Sequence, residues 1–290
     1  MKIGVIGCGY WGKIIINNLI QLGQEDLVLC DNDSTLSNLN FGRKFELTND
    51  YKKVNCDKVF VLTPVTHHYE VCKYFLQKGV DVFCEKVLTD DVGTAKDLYK
   101  TADKNKSNLF VDWIFTFNNQ VNLIKKVYDT GVLGDVRHVF LNRQNYGPFR
   151  DDVDARYDLA SHDLSILLHI FEKSPKEVKW INYKRDKSQL QDDSAIGYFD
   201  FHSFTSVVNA SWSHSKKDRK CYFDFDNGYI TWDDSTKSLK IDCKEDIIMS
   251  TENNESPLHI SINNFLSNEL FGYKKQREMT LKIIEALNEN

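Results

Sequence analysis

The first third of the chain repeats one pattern. Short, mostly apolar runs at 2–6, 27–30, 58–62, 80–84 and 109–111 alternate with stretches at 11–22, 34–45, 66–77 and 90–104, whose apolar positions recur every three or four residues. A short unbroken apolar run is what a strand buried on both faces needs, and the three-to-four spacing marks a helix with one apolar stripe. Gly23 and Gly79 stand where two of these helices would end. Strands alternating with helices predict a parallel sheet covered on both faces, a doubly wound α/β domain.

Past the last of these runs the period changes. A helix at 119–129 and a strand at 136–142 lead through a polar stretch, 144–154, to a helix at 157–171. Alternating segments follow at 178–183, 194–201, 206–212, 220–225 and 229–232, with turn residues Asp226, Asn227 and Gly228 before the last. These predict antiparallel strands of one large open sheet. A final helix at 274–287 is long enough to pack back on either part. The expected organisation is an α/β domain over 1–115 and an α+β domain with a large, mostly antiparallel open sheet over 116–290. A chain of 290 residues suits two domains.

Charge narrows the function. With 37 basic and 42 acidic residues the formal net charge is -5, which argues against a nucleic-acid partner, whose footprint would be basic. Residues 2–6 already read as a strand, so no signal peptide is expected, and no apolar run reaches the roughly 18 to 20 residues needed to span a bilayer. A cytoplasmic protein without a membrane partner is the expectation. Cys8, Cys30, Cys56, Cys72, Cys84, Cys221 and Cys243 form no CxxC pair, so free thiols are expected, with no disulfide and no metal site.

Gly7-Cys8-Gly9-Tyr10-Trp11-Gly12 is a GxGxxG placed directly after the first predicted strand and at the start of a helix. In that position Gly7 permits the tight turn, Gly9 lets backbone N–H groups approach a pyrophosphate, and Gly12 allows close helix–strand packing. This is the dinucleotide fingerprint of a Rossmann domain. Asp31 closes the second strand, where a carboxylate accepts hydrogen bonds from ribose hydroxyls and repels a 2'-phosphate, so NAD is favoured over NADP; the alternative is a turn cap. Thr63-Pro64 and Glu85-Lys86 close the third and fourth strands, at the carboxyl edge where ligands of doubly wound folds bind. A lysine there holds a developing alkoxide, unless Lys86 is only a surface residue. Asp158 and His162, four apart on a predicted helix, suit a general base and its orienting carboxylate, or else an ordinary surface pair. Arg143, Asn145 and Arg150 form a candidate anion-binding edge, and Lys217 and Arg219 lie in a second basic cluster on a predicted loop. For both clusters a solvated surface is the competing reading.

Together GCGYWG, TPVTHHYEV, FCEKVLT and YDLASHDLSIL resemble the glucose-fructose oxidoreductase, inositol dehydrogenase and MocA family, over most of the chain. By this resemblance Lys86 matches the lysine of the family's EKP motif, Asp158 and His162 match its D-x-x-x-H pair, and His68 matches the histidine after TP, which joins the cofactor-binding set. GYWGK, NRQNYGPFR and Ala210-Ser211-Trp212, followed by Lys217 and Arg219, look like the group that oxidises the 3-hydroxyl of UDP-N-acetylglucosamine or its uronic acid. Val87 stands where the family usually has proline. Ser161 replaces a frequent proline, and Asn263-Asn264-Phe265 stands where a histidine–phenylalanine pair is common.

The resemblance implies an NAD-dependent oxidoreductase acting on a sugar or nucleotide sugar. Two other readings stand beside it: a dehydrogenase or ketoreductase for a free polyol, inositol or deoxysugar, and a cofactor-binding sensor or assembly subunit without catalysis. Large side chains on the predicted strands, Phe199, Phe201, Phe204, Tyr222 and Phe223, predict a homodimer or homotetramer joined through the C-terminal sheet.

Overall fold

A computed structural model describes residues 1–31, 36, 39–185, 190–243, 255–267 and 273–289. The chain divides into two compact units, Met1–Asp112 with Leu258–Ile284, and Trp113–Pro257 with Glu285–Asn290.

The first unit opens with β1 (Ile3–Ile6), α1 (Tyr10–Gln21), β2 (Leu27–Cys30) and β3 (Glu46–Thr48). It continues through β4 (Lys58–Val61), α2 (Val65–Gln77), β5 (Asp81–Cys84), α3 (Val92–Asn105) and β6 (Leu109–Val111). The six strands are parallel in the order β3-β2-β1-β4-β5-β6. Every residue of β1, β2 and β4 is buried, as the unbroken apolar runs require. Of the helix expected at 34–45, Leu36 lies in a 3₁₀ turn and residues 39–45 carry no helix, while 34, 35, 37 and 38 lie outside the described residues. Asn40 accepts a hydrogen bond from the Gly42 N–H at 3.0 Å, and Gly42 has φ 71°, a side-chain-to-backbone turn that competes with helix.

The second unit begins with α4 (Asn119–Thr130), β7 (Val136–Tyr146) and α5 (Ser161–Phe171), the last entered through a π-turn at Arg156–Ala160. Then come β8 (Glu177–Tyr183), β9 (Ser194–Asp200), β10 (Thr205–Ser211), β11 (Ser213–Asp218), β12 (Lys220–Phe225), β13 (Gly228–Asp233) and β14 (Ser238–Cys243). They form one sheet, β14-β13-β12-β7-β10-β9-β8, with β11 on β7; only the β7–β10 pair is parallel. The basic stretch around Lys217, expected as a loop, is strand β11, whose polar sequence hid it. Phe199, Phe201, Phe204 and Phe223 are core residues, so of the aromatics expected on an outer face only Tyr222 is exposed. Ile181, Tyr183, Ile196, Tyr198 and Tyr229 are the large exposed side chains of β8, β9 and β13.

The last two helices are α6 (Pro257–Leu266) and α7 (Tyr273–Asn288). Phe265 of α6 packs edge-on against Phe60 and Phe83, with centroids 5.3 and 5.5 Å away, and its carbonyl accepts from the buried Lys58 ammonium at 2.9 Å. Along α7, the Tyr273 hydroxyl accepts from Leu109 N–H, while Gln276 accepts from Val111 N–H and donates to its carbonyl. These contacts satisfy the free edge of β6, an unpaired row that would otherwise invite another strand.

Candidate active site

The glycine turn explains the shape of a cleft at the carboxyl end of β1, β2 and β4. Gly7 has φ 97°, and a Cβ there would stand 2.6 Å from the Leu62 carbonyl oxygen. A Cβ on Gly12 would meet the Gly7 carbonyl oxygen at 2.1 Å, so only glycine lets α1 start this close to β1. Gly9 caps α1 with no side-chain hydrogen bond, and a Cβ on it would meet nothing within 4 Å. The cleft of about 720 Å³ is lined by Gly7, Gly9, Asp31, Thr63 and Pro64. Asp31 is fixed there by the Cys8 N–H, which donates to its Oδ2 at 2.7 Å. Burial pushes the neighbouring Cys8 thiol up to about 12.

Sequence reasoning missed part of this wall. Asn49, Asp50, Tyr51, Lys52, His67 and Glu70 also line the cleft. Four of them follow the three-residue strand β3, too short to leave a periodic signal, and Asp50 caps a single 3₁₀ turn by accepting from Lys52 N–H at 2.9 Å. The Tyr51 hydroxyl donates to Glu70 at 2.5 Å, which ties the turn to α2.

These residues fit a dinucleotide. Thr63 Oγ1 and Trp11 Nε1 are buried polar atoms with no hydrogen-bond partner among the described residues, and a buried polar group without a partner is costly. The open space over Gly9 and the exposed ring of Tyr10 leave the start of α1 accessible to a pyrophosphate.

Glu85 and Lys86 stand directly beyond β5. The Glu85 N–H donates to Val61 O at 3.0 Å, so the β4–β5 ladder runs up to the lysine. The Lys86–Val87 peptide bond is cis. His68, in the first turns of α2, is buried, with its Nδ1 2.9 Å from Val87 O and its Nε2 2.7 Å from Thr63 O. The ring therefore binds the two rim loops.

In the second unit Asp158 lies in the π-turn and His162 in the first turn of α5. The buried Trp212 indole donates to Asp158 Oδ2 at 3.1 Å, and Arg150 Nη1 is 3.5 Å from Oδ1. The Phe115 ring meets His162 edge-on at 5.3 Å. Of the basic candidates, Arg143 is committed: its Nε and Nη2 donate to the buried Asp163 at 2.7 to 3.0 Å, and its guanidinium lies over the Phe115 ring at 4.5 Å. Arg219 donates from Nη2 to Asn145 Oδ1, while its buried Nη1 has no partner among the described residues. Burial, then the charge of Arg143, pull the Arg219 guanidinium down to about 10, opposed by Asp163, Asp234 and Asp158. Lys217 sits on β11 and is exposed. Among the described residues no group of three or more His, Cys, Asp or Glu is placed to hold a metal ion, and no helix is long and apolar enough to cross a membrane.

A profile described as an oxidoreductase family with an NAD-binding Rossmann fold matches residues 1–113, and the GFO/IDH/MocA C-terminal domain matches residues 121–231. The chain belongs to the GFO/IDH/MocA family of oxidoreductases. Its named relatives in that family lie at low identity. The scyllo-inositol 2-dehydrogenase (NADP(+)) IolW of Bacillus subtilis (strain 168) is 26% identical over 211 residues, 66% of this chain and 58% of the relative. The UDP-N-acetylglucosamine 3-dehydrogenase of Acidithiobacillus ferrooxidans is 24% identical over 185 residues, 62% of this chain and 57% of the relative. Both matches span under two thirds of the relative's length. The WlbA dehydrogenase from Bordetella pertussis, solved in complex with NADH and UDP-GlcNAcA, superposes with a TM-score of 0.78 at 16% identity, covering 98% of this chain and 92% of that one. That likeness is one of fold.

Proposed function

We propose that this GFO/IDH/MocA protein is an NAD-dependent dehydrogenase that oxidises a secondary hydroxyl of a nucleotide sugar, C3 of a UDP-N-acetylhexosamine or of its uronic acid. The observation that carries the reading is Arg219. A desolvated guanidinium with a buried nitrogen left unpartnered among the described residues, close enough to Asp158 to feel its charge, suits a phosphate or carboxylate and has no use for a neutral polyol. Asn145 holds that guanidinium, and Arg150 adds a half-exposed cation.

The cofactor binds at the glycine turn, with Asp31 on its ribose and Thr63 and Pro64 along the cleft; when bound, the nicotinamide supplies the hydride acceptor. Lys86 donates a hydrogen bond to the reacting hydroxyl and stabilises its developing negative charge. His162 accepts the hydroxyl proton on a ring nitrogen, and Asp158, itself held by Trp212 and Arg150, orients the site. The exposed side chains of the large sheet, Ile181, Ile196, Tyr198, Tyr222 and Tyr229, support a homodimer or homotetramer formed through that face. A monomer by light scattering at micromolar concentration would contradict that assembly.

The test is NADH formation with UDP-N-acetylglucosamine, its uronic acid, N-acetylglucosamine and myo-inositol. Turnover that depends on the UDP group supports the reading. The matches to inositol dehydrogenases favour a second one, a free polyol substrate, and turnover of inositol alone would establish it in place of the first.

A further inference from the structure

His68, which the family resemblance sets among the cofactor-binding residues, lies between two rim-loop carbonyls. The side chain is 1% exposed, and both ring nitrogens face backbone carbonyl oxygens: Nε2 that of Thr63 at 2.7 Å, Nδ1 that of Val87 at 2.9 Å. A neutral imidazole carries one N–H and one lone pair, so it can donate to only one of two carbonyls. One ring N–H donates to one of the two carbonyls and the ring packs against the other, so a single buried side chain spans both loops.

We infer that His68 is a positioning residue for the reaction: its buried ring spans the Thr63 and Val87 carbonyls, bracing the Thr63-Pro64 loop against the loop that carries Lys86, and so fixes the Lys86 ammonium. The Val87 carbonyl that meets the ring belongs to the residue bonded directly to Lys86. Valine and proline both supply a carbonyl, so the departure from the family's usual proline leaves this brace in place. Removing the ring frees two loop carbonyls in a buried space and lets the lysine loop drift. A displacement of about 1 Å at a reacting group costs on the order of 100-fold in turnover.

The inference rests on the assignment of Lys86 to the reacting hydroxyl, and the experiment separates the two. In the full chain, His68→Asn, His68→Gln, Lys86→Met and the His68→Asn/Lys86→Met double variant are compared for kcat, KM and NADH affinity by fluorescence, using whichever of the four sugars above reduces NAD. The expected result is a fall in kcat of on the order of tenfold or more for His68→Asn, NADH affinity within about threefold of wild type, and no further loss when the change is added to Lys86→Met. A loss confined to NADH affinity, an unchanged kcat, or a loss that adds fully to that of Lys86→Met would overturn the inference. Full turnover by Lys86→Met would instead sink the assignment of Lys86. Independently of any sugar or any variant's folding, nitrogen-15 spectra of the wild-type ring should show one fixed tautomer with its N–H protected from solvent exchange; two tautomers in rapid exchange would overturn the brace.

Discussion

Arg143 and Asp163 meet as a bidentate pair inside the second unit, 4% and 0% exposed, with three donor–acceptor distances between 2.7 and 3.0 Å. Burial pushes the Asp163 carboxyl up and the guanidinium beside it pulls the other way, so each charge depends on the other remaining. Arg143, expected on an anion-binding edge, is thus held by Asp163 through its Nε and Nη2.

Truncating one partner of such a pair strands the other charge. Arg143→Met is expected to destabilise the fold by about 3 to 5 kcal/mol in urea denaturation. Arg219→Met, which leaves no buried anion without its partner, should cost less than about 1.5 kcal/mol and appear chiefly as a raised KM for a nucleotide sugar. Equal stability losses for the two variants would remove the distinction between the structural and the ligand-facing arginine.

The glycine turn makes a second pair of variants informative. Gly12→Ala puts a Cβ 2.1 Å from the Gly7 carbonyl oxygen, so α1 must shift, and both stability and NADH affinity should fall. Gly9 has φ -65°, which alanine adopts freely, and apart from its chain neighbours no atom of the described residues lies within 4 Å of its would-be Cβ. Gly9→Ala should leave the urea midpoint unchanged while weakening NADH binding on the order of tenfold, because the added methyl occupies the space a pyrophosphate needs. Unchanged NADH affinity in Gly9→Ala would place the cofactor elsewhere.

How far the sequence announced this site follows from the range of each interaction. The GxGxxG, Asp31 and Thr63-Pro64 were legible because a parallel strand ends in a turn whose chemistry is local. Asn49 to Lys52 were not, since their segment has no period and reaches the cleft only through the pairing of β3 with β2. The Arg143–Asp163 pair joins a strand to a helix 20 residues on, which no spacing rule marks. The polar strand β11 was invisible because its burial pattern does not alternate.

Asp112 gives a pH prediction. It ends β6 at the rim, fully enclosed, with Ser261 Oγ donating to its Oδ1 at 2.7 Å and no hydrogen-bond partner for Oδ2 among the described residues. Burial pushes its carboxyl up from 3.8 to about 6. A carboxyl raised on folding contributes stability that is full below its unfolded value and is lost as pH rises through its folded one. The native state therefore loses stability between about pH 4 and pH 6 from this group, by on the order of 3 kcal/mol at the alkaline end. Asp112→Asn keeps an acceptor for Ser261 and removes the charge. It should be more stable than wild type near pH 8, with the difference falling to about half by pH 5; a difference that does not vary with pH would show that the carboxyl is not the cause.

The carboxylate of Asp31 bears on cofactor choice. It accepts from the Cys8 N–H at 2.7 Å on the cleft wall, and Asp50 adds a second acid to the same wall. Two unit charges about 6 Å apart at an effective dielectric constant of about 20 repel by roughly 3 kcal/mol, which corresponds to on the order of 100-fold in affinity. Wild type should thus bind NADH far more tightly than NADPH, even though the related IolW is named as an NADP(+) enzyme. Asp31→Asn retains an oxygen for the Cys8 N–H and removes the charge, so it should narrow the NADH-to-NADPH ratio by about that factor, mostly through tighter NADPH binding. Fluorescence titration of both cofactors against both proteins measures it. If wild type binds NADPH as tightly as NADH, the 2'-phosphate is being received away from Asp31, with Lys52 a candidate cation on the cleft wall.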